Sequence, residues 1–265
     1  MPRTPPPPFT IAELDGFVRT RSDFGFEMQA LSALNGQGYA CRHAATFVDP
    51  ITSKIREFDI RARRGADGIG IRLAVECQNL TMDSPLILHR TPRGPHEATH
   101  SAAVFKPGHT YSFWQSRTLS PSDLYPLDQP VGRQLEQPKK KDDGTLSQND
   151  GPTFEKWSQA LSGVHDELVK LVGGSQDGLT AYLILPVLVI PEGTLFAVDY
   201  DAGGSIVTPL RVVPKAELFV GHTWTVPAGL NNIQMQFSHL EILTLPELGQ
   251  WSRGLIENRA LFPSI

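Results

Sequence analysis

Cysteine is scarce: Cys41 and Cys77 are the only two among 265 residues, in no CxxC pair and without the Cys/His spacing of a zinc site. Disulfide-stapled scaffolds and structural zinc are thereby excluded, and a reducing compartment is expected. Positive charge is not in excess either. With 24 Lys and Arg against 28 Asp and Glu the formal charge is −4, which excludes a surface coated in cations but leaves room for a local basic groove. Long apolar segments are missing too. The longest run, Ala181 to Ile190, contains Pro186 and is too short to span a bilayer, and the first eight residues carry proline where a leader peptide would need an apolar core. The sequence therefore reads as soluble and cytoplasmic, with no membrane partner. It holds no internal repeat, no GxSxG elbow, no Walker lysine loop, no GxGxxG and no HExxH, so the chemistries tied to those motifs have no foothold. What is present is ordinary globular material, 40% hydrophobic and 20% charged, enough to bury a core.

Residues 1–21 read as a proline-rich tail, and 22–265 as a single α/β domain. Ser22 to Gly36 is the first helix, with the Gly36/Gly38 pair as its stop and Phe24, Glu27, Leu31 and Leu34 as its stripe, so that a carboxylate sits inside an apolar face. Three strand-like runs follow, Tyr39 to Val48, Arg56 to Arg63 and Gly70 to Leu80, separated by turn-rich segments as in an antiparallel meander. Residues 81–150 are rich in proline and show no sustained period, which suggests a long loop-rich insertion. A second helix fits Thr153 to Val172, with Phe154, Trp157, Leu161, Val164, Leu168 and Leu171 at helical spacing. Two strong strands come next, Leu179 to Ile190 and Thr194 to Tyr200, joined by a hairpin-type link at Pro191–Gly193. Weaker strands at Ala216 to Val226 and Ile233 to Leu245 and a helix over Leu248 to Leu261 complete the chain. The class is α/β, with a mixed central sheet flanked by helices.

The meander carries the chemistry. Strand alternation sends Phe58, Ile60 and Ala62 one way and Asp59 the other, while Ile71, Leu73, Val75 and Cys77 oppose Glu76 and Gln78. If the two strands pair through the turn between Arg63 and Gly70, Asp59 and Glu76 converge. Adjacent carboxylates repel, and an oxygen-preferring divalent cation is the usual way to hold them together. Cys77 reads as a core thiol.

A helix with an inward Glu, then a strand bearing Asp, then a strand with Glu-x-Lys resembles the PD-(D/E)xK nuclease superfamily, which includes many restriction endonucleases. Glu27 matches the helical Glu, Asp59 the metal-binding Asp and Glu76 the second acid, with Gln78 standing where Lys is commonest. The resemblance covers about residues 22–80 and, more loosely, 153–190. It implies a restriction endonuclease-like core and a Mg2+ site, open to Mn2+, in which Asp59, Glu76 and the backbone carbonyl of Cys77 coordinate the ion. Glu27 would assist through a water and Gln78 would position water or contact phosphate. The implied activity is metal-dependent hydrolysis of nucleic acid, DNA before RNA, in defence or repair. The departure at Gln78 keeps open a catalytically silent relative that binds nucleic acid or a protein partner. In a silent relative the two acids would be splayed, or salt-bridged to Arg61 or Arg72; in an interaction domain without a metal site Glu27 would point away from the sheet.

Candidate phosphate contacts are Lys54, Arg56, Arg61, Arg63, Arg64 and Arg72 around the meander, and His89, Arg90, Arg93, His96, His100 and Lys106 after it. The same arginines suit solvated strand edges. His96 and His100 have the i,i+4 spacing of metal ligands, but Pro95 argues for incidental placement. Tyr111, Phe113 and Trp114 suit base stacking or anchorage to the core. A homodimer is compatible with all of this.

Overall fold

The computed structural model describes residues 7–108, 112–141, 143–148, 151–174 and 178–263. Its centre follows from one charge-free segment. Ala181–Ile190 is buried at all ten positions, as a strand covered on both faces must be, and this strand, β10, runs parallel to its neighbours on either side. Those neighbours are β3 (Ile69–Cys77) and β14 (Asn231–Thr244). Pro186 is tolerated because it falls between Leu183, the last partner of β5 (His100–Lys106), and Val187, the first partner of β14. No ladder is interrupted on that edge.

On the other side of β3 lie β2 (Ile55–Ala66) and β1 (Ala40–Val48), joined as the antiparallel meander. The β2–β3 turn is made by Asp67 and Gly68, both left-handed at φ 49° and 83°, the geometry that two-residue hairpins need. Beyond β14 the sheet continues through β13 (Lys215–Ala228), β7 (Val131–Glu136), β4 (Leu86–Thr91), β11 (Leu195–Tyr200) and β12 (Ile206–Val212). It is a mixed sheet. Helices α2 (Phe24–Gly36) and α4 (Leu245–Glu257) cover one face through Phe26, Ala30, Leu34, Leu248, Trp251 and Leu255. Helix α3 (Gly151–Gly173) covers the other through Val164, Leu168 and Leu171. No helix among the described residues is long and apolar enough to cross a membrane.

Four expectations change. Residues 81–150 are not a loop-rich insertion: β4, β5, β6 (Phe113–Leu119) and β7 join the main sheet, while β8 (Pro138–Lys140) and β9 (Leu146–Gln148) pair with each other. Their period was masked by polar residues that the sheet buries in pairs, such as Arg90 against Asp199. The link at Pro191–Gly193 makes no hairpin, because β11 pairs with β4 and β12 and leaves β10 to β3, β5 and β14. The tail is helical from Ile11 to Arg21 (α1), where Thr10 and Glu13 form a capping box; residues 1–6 lie outside the described ones. Lastly, Phe58 packs with Ala74 and Val164 under α3, on the opposite side from Ile60 and Ala62. The simple alternation breaks where Ala44, lying between the Cα partners of Ile60 and Phe58, takes a left-handed φ of 54°.

Glu217 on β13 lies directly opposite Glu241 on β14. The pair is held by Lys215, 3.1 Å from Glu217 and 3.6 Å from Glu241, and by Arg93, 3.1 Å from Glu217 and 2.8 Å from His239. Tyr125 stacks on His239. Burial pushes the Glu241 carboxyl up to about 7 against the opposing pull of Lys215, and burial, then Arg93, drives His239 down to about 3. The two tilt stability in opposite directions. A raised carboxyl gives stability at low pH that is lost as pH rises from about 4.5 to about 7, whereas a lowered imidazole gives stability above about 6.5 that is lost as pH falls towards 3. Glu241→Gln removes only the first tilt, so in urea unfolding it should gain about 1–3 kcal/mol on the wild-type chain between pH 5 and pH 8. An equal difference at both pH values would contradict this assignment.

Candidate active site

The last rung of the β2–β3 ladder is Ile60 opposite Val75, so the next residue on each strand is Asp59 and Glu76. The backbone holds Asp59 in place, its Oδ2 accepting the Cys77 amide hydrogen at 2.7 Å. Glu76 is fully buried, and its Oε1 receives no hydrogen bond among the described residues. Across the top lies α3. Its Lys156 ammonium donates to Asp59 Oδ2 at 2.8 Å and to Glu76 Oε2 at 3.2 Å. The three charged groups form one cluster at the end of two strands.

Electrostatics set the state of this cluster. Burial, reinforced by the neighbouring Asp59 charge, pushes Glu76 well above the usual carboxylate range, with Lys156 acting against it. Burial alone would lower the Lys156 ammonium, but the charges of Glu76 and Asp59 outweigh it and hold the group above its ordinary value. Lys156 therefore stays cationic at neutral pH and serves as a fixed positive charge, not as a base. The Cys77 thiol, also buried, is pushed up by desolvation and then by Asp59, Glu27 and Glu76, which suits an inert core residue.

Why α3 sits there is legible in its packing. A Cβ on Gly163 would come within 2.9 Å of the Ala74 Cβ and 3.5 Å of Phe58, so only glycine lets the helix lie this close to the sheet. Two turns before Gly163 the helix presents Lys156 to the acids. One turn after it, Asp166 and Glu167 meet the arginines: Arg61 pairs with both, Arg63 with Glu167 at 2.9 Å and Arg72 with Glu167 at 3.4 Å.

Other residues singled out in the sequence fall into place around this. Glu27 points towards the sheet, where its Oε2 lies 2.7 Å from His43 Nε2 on β1. Gln78 does not reach the acids through any hydrogen bond; its amide donates to Thr153 Oγ1 at 3.2 Å, so the water-positioning role expected of it has no geometric support. The proposed phosphate contacts are largely consumed within the fold. Arg61 and Arg63 belong to Asp166 and Glu167, Arg90 to Asp199 and Arg93 to Glu217. Arg56 pairs with Asp49, and His89 with Tyr200 and Glu136. Lys54 is exposed. Arg61, Arg90 and Arg93 are buried against these carboxylates, so their charge is already balanced within the fold, while Arg56 and Arg63 remain partly exposed. His100 is a buried strand residue bonded to Ser122 and the Leu261 carbonyl, while His96 stays exposed, so the pair forms no ligand set. Trp114 anchors its strand against Phe105 and Tyr182; Tyr111 lies outside the described residues.

Sequence reasoning missed Lys156 and His43. Lys156 belongs to the stripe Thr153, Lys156, Ala160, Gly163, Glu167, in which small residues mark the face that packs on the sheet. A lysine in such a stripe is a signal that the larger apolar residues beside it obscure.

Among the described residues no three His, Cys, Asp or Glu side chains gather to hold a metal ion. Two carboxylates, Asp59 and Glu76, lie together, with a buried oxygen left unbonded on Glu76. That donor set fits a magnesium-type ion, which binds through one or two carboxylates and keeps its waters or takes up substrate phosphates. The chain matches no family model, no curated protein and no solved structure.

Removing the lysine should expose the repulsion it holds in check. Lys156→Met is expected to cost about 1–3 kcal/mol in urea unfolding, and adding Glu76→Gln in that background should recover at least half of the loss. Strictly additive effects of the two substitutions would show that Lys156 does not neutralise this carboxylate.

Proposed function

We propose that the chain is a metal-dependent phosphodiesterase that hydrolyses nucleic acid, DNA before RNA, on a restriction endonuclease-like core. The observation that carries this reading is the side-by-side placement of Asp59 and Glu76 beneath the Lys156 ammonium. Three further features support it. The acids are neither splayed nor bridged to Arg61 or Arg72, the inward-facing Glu27 lies on a helix that precedes them, and a lysine stands over the pair although Gln78 replaces the usual one.

In this reading Asp59, Glu76 and the Cys77 carbonyl would hold Mg2+ or Mn2+. The bound ion would supply an activated water and neutralise charge on the phosphoryl oxygens. Lys156 takes the part first assigned to Gln78. Held cationic by the two carboxylates, it stands ready to turn towards a phosphate oxygen as charge develops there. Glu27, fixed by His43, remains an outer acid that orients solvent. Hydrolysis makes one bond from a water oxygen to phosphorus and breaks one ester bond, with the strand alkoxide leaving as an alcohol.

Cleavage of plasmid and single-stranded DNA in Mg2+ or Mn2+, with EDTA as control, tests this directly. Asp59→Ala and Glu76→Ala should abolish cleavage, and Lys156→Ala should lower it about a hundredfold. Gln78→Ala should change it by less than about tenfold. Retained DNA binding without cleavage under any metal would overturn the hydrolytic reading in favour of a silent binding protein. So would cleavage indifferent to both acids.

A further inference from the structure

Beside the acid pair lies a cavity of about 350 Å³ that the hydrolytic reading does not use. Its walls come from α3 (Thr153, Phe154, Trp157), from the end of β7 (Gln137) and from β13 (Leu218, Phe219). Phe154 is 56% exposed although it is a large aromatic, and its ring meets Trp157 edge to face at 4.9 Å between centroids. The floor is polar. Gln137 is almost fully buried and accepts a hydrogen bond from Thr153 Oγ1 at 2.8 Å, and Thr153 is bonded in turn to Gln78, just past the end of β3 and two residues from Glu76. One side-chain relay thus runs from the strand that bears the catalytic acid to the floor of the cavity.

Position along α3 ties the two sites together. Lys156 lies one turn after Thr153, about 4.5 Å of helix rise, and Trp157 follows it directly. Thr153 and Trp157, which line the cavity, thus flank Lys156 on the same stretch of α3. Aromatic faces with a few buried amide and hydroxyl groups beneath them are what a flat heteroaromatic ring requires. A cavity of about 350 Å³ has room for a heteroaromatic ring system.

We propose that this cavity, walled by Phe154, Trp157 and Leu218, takes one unpaired nucleobase next to the phosphate held at Lys156. The inference rests on the hydrolytic reading for its choice of ligand. It makes the preferred substrate a single strand or a strand with an extruded base, because a base in a duplex must leave its stack to enter. Stacking on aromatic side chains tolerates any base, so the cavity confers strandedness more than sequence.

Binding in EDTA isolates the cavity from catalysis. Single-stranded oligodeoxynucleotides carrying 2-aminopurine, matched abasic oligonucleotides and the corresponding duplex are titrated against the full chain. The abasic strand and the duplex should bind about tenfold more weakly than the base-bearing strand, and Phe154→Ala should weaken the latter about tenfold while leaving the abasic strand unchanged. Trp157→Ala should act in the same way; because Trp157 is half-buried, the exposed Phe154 decides the outcome if that variant does not fold. Equal binding of base-bearing and abasic strands, indifference to Phe154→Ala, or no binding of any oligonucleotide overturns the proposal. Base-dependent binding without metal-dependent cleavage would instead leave the cavity standing and remove the hydrolytic reading, and cleavage without base-dependence would do the reverse.

Discussion

The contact of α3 with the sheet at Gly163 is the constraint on which the rest depends. The face of β2 and β3 beneath it carries two carboxylates at one end and three guanidiniums at the other, an arrangement that no apolar helix could cover. Helix α3 answers with Lys156 over the acids and Asp166 and Glu167 over the arginines, in register because Gly163 lets the backbones approach between them. Each charge is buried only because its complement arrives with it, since an unpaired charge there would cost several kcal/mol. The helix is thereby located along its axis by charge and in height by the missing side chain.

That complementarity also decides what is left for function. Most arginines that look in the sequence like a cationic groove are paired with carboxylates of the same fold. At the acid end the balance is different. One lysine faces two carboxylates, and a buried oxygen of Glu76 has no donor among the described residues. The guanidinium end is matched by Asp166 and Glu167, while the acid end keeps one unpartnered carboxylate oxygen. Next to it the same helix exposes Phe154 and Trp157, so one element brings together the anion-neutralising group and the aromatic wall.

Much of the first half of this arrangement was legible in the sequence. The existence of the first helix, the meander and the convergence of Asp59 with Glu76 follow from periodicity and turn residues, as do the long second helix and the buried strand at Ala181–Ile190; the stripe of the first helix does not, since Phe24 is 60% exposed and Phe26, Ala30 and Leu34 are buried instead. The strands between residues 86 and 136 were hidden because their inward positions are filled by paired polar groups such as Arg90 and Asp199, which erase the apolar alternation. The parallel pairing of β10 with β14 depends on contacts more than fifty residues apart, which no local pattern encodes. Lys156 was missed for a related reason: the face of α3 that meets the sheet carries small residues, Ala160 and Gly163, beside the large apolar Val164 and Leu168, and the large ones alone define the stripe seen in the sequence.

The central claim is that Asp59 and Glu76 form a binding site for one divalent cation. Mn2+ titration followed by electron paramagnetic resonance of the free ion measures this without reference to any substrate. The account predicts one bound ion per chain in the wild-type protein, lost in both Asp59→Asn and Glu76→Gln and retained in Lys156→Met, where the competing ammonium is gone. Failure of the wild-type and Lys156→Met chains to bind Mn2+, or binding unaffected by either carboxylate substitution, would contradict it.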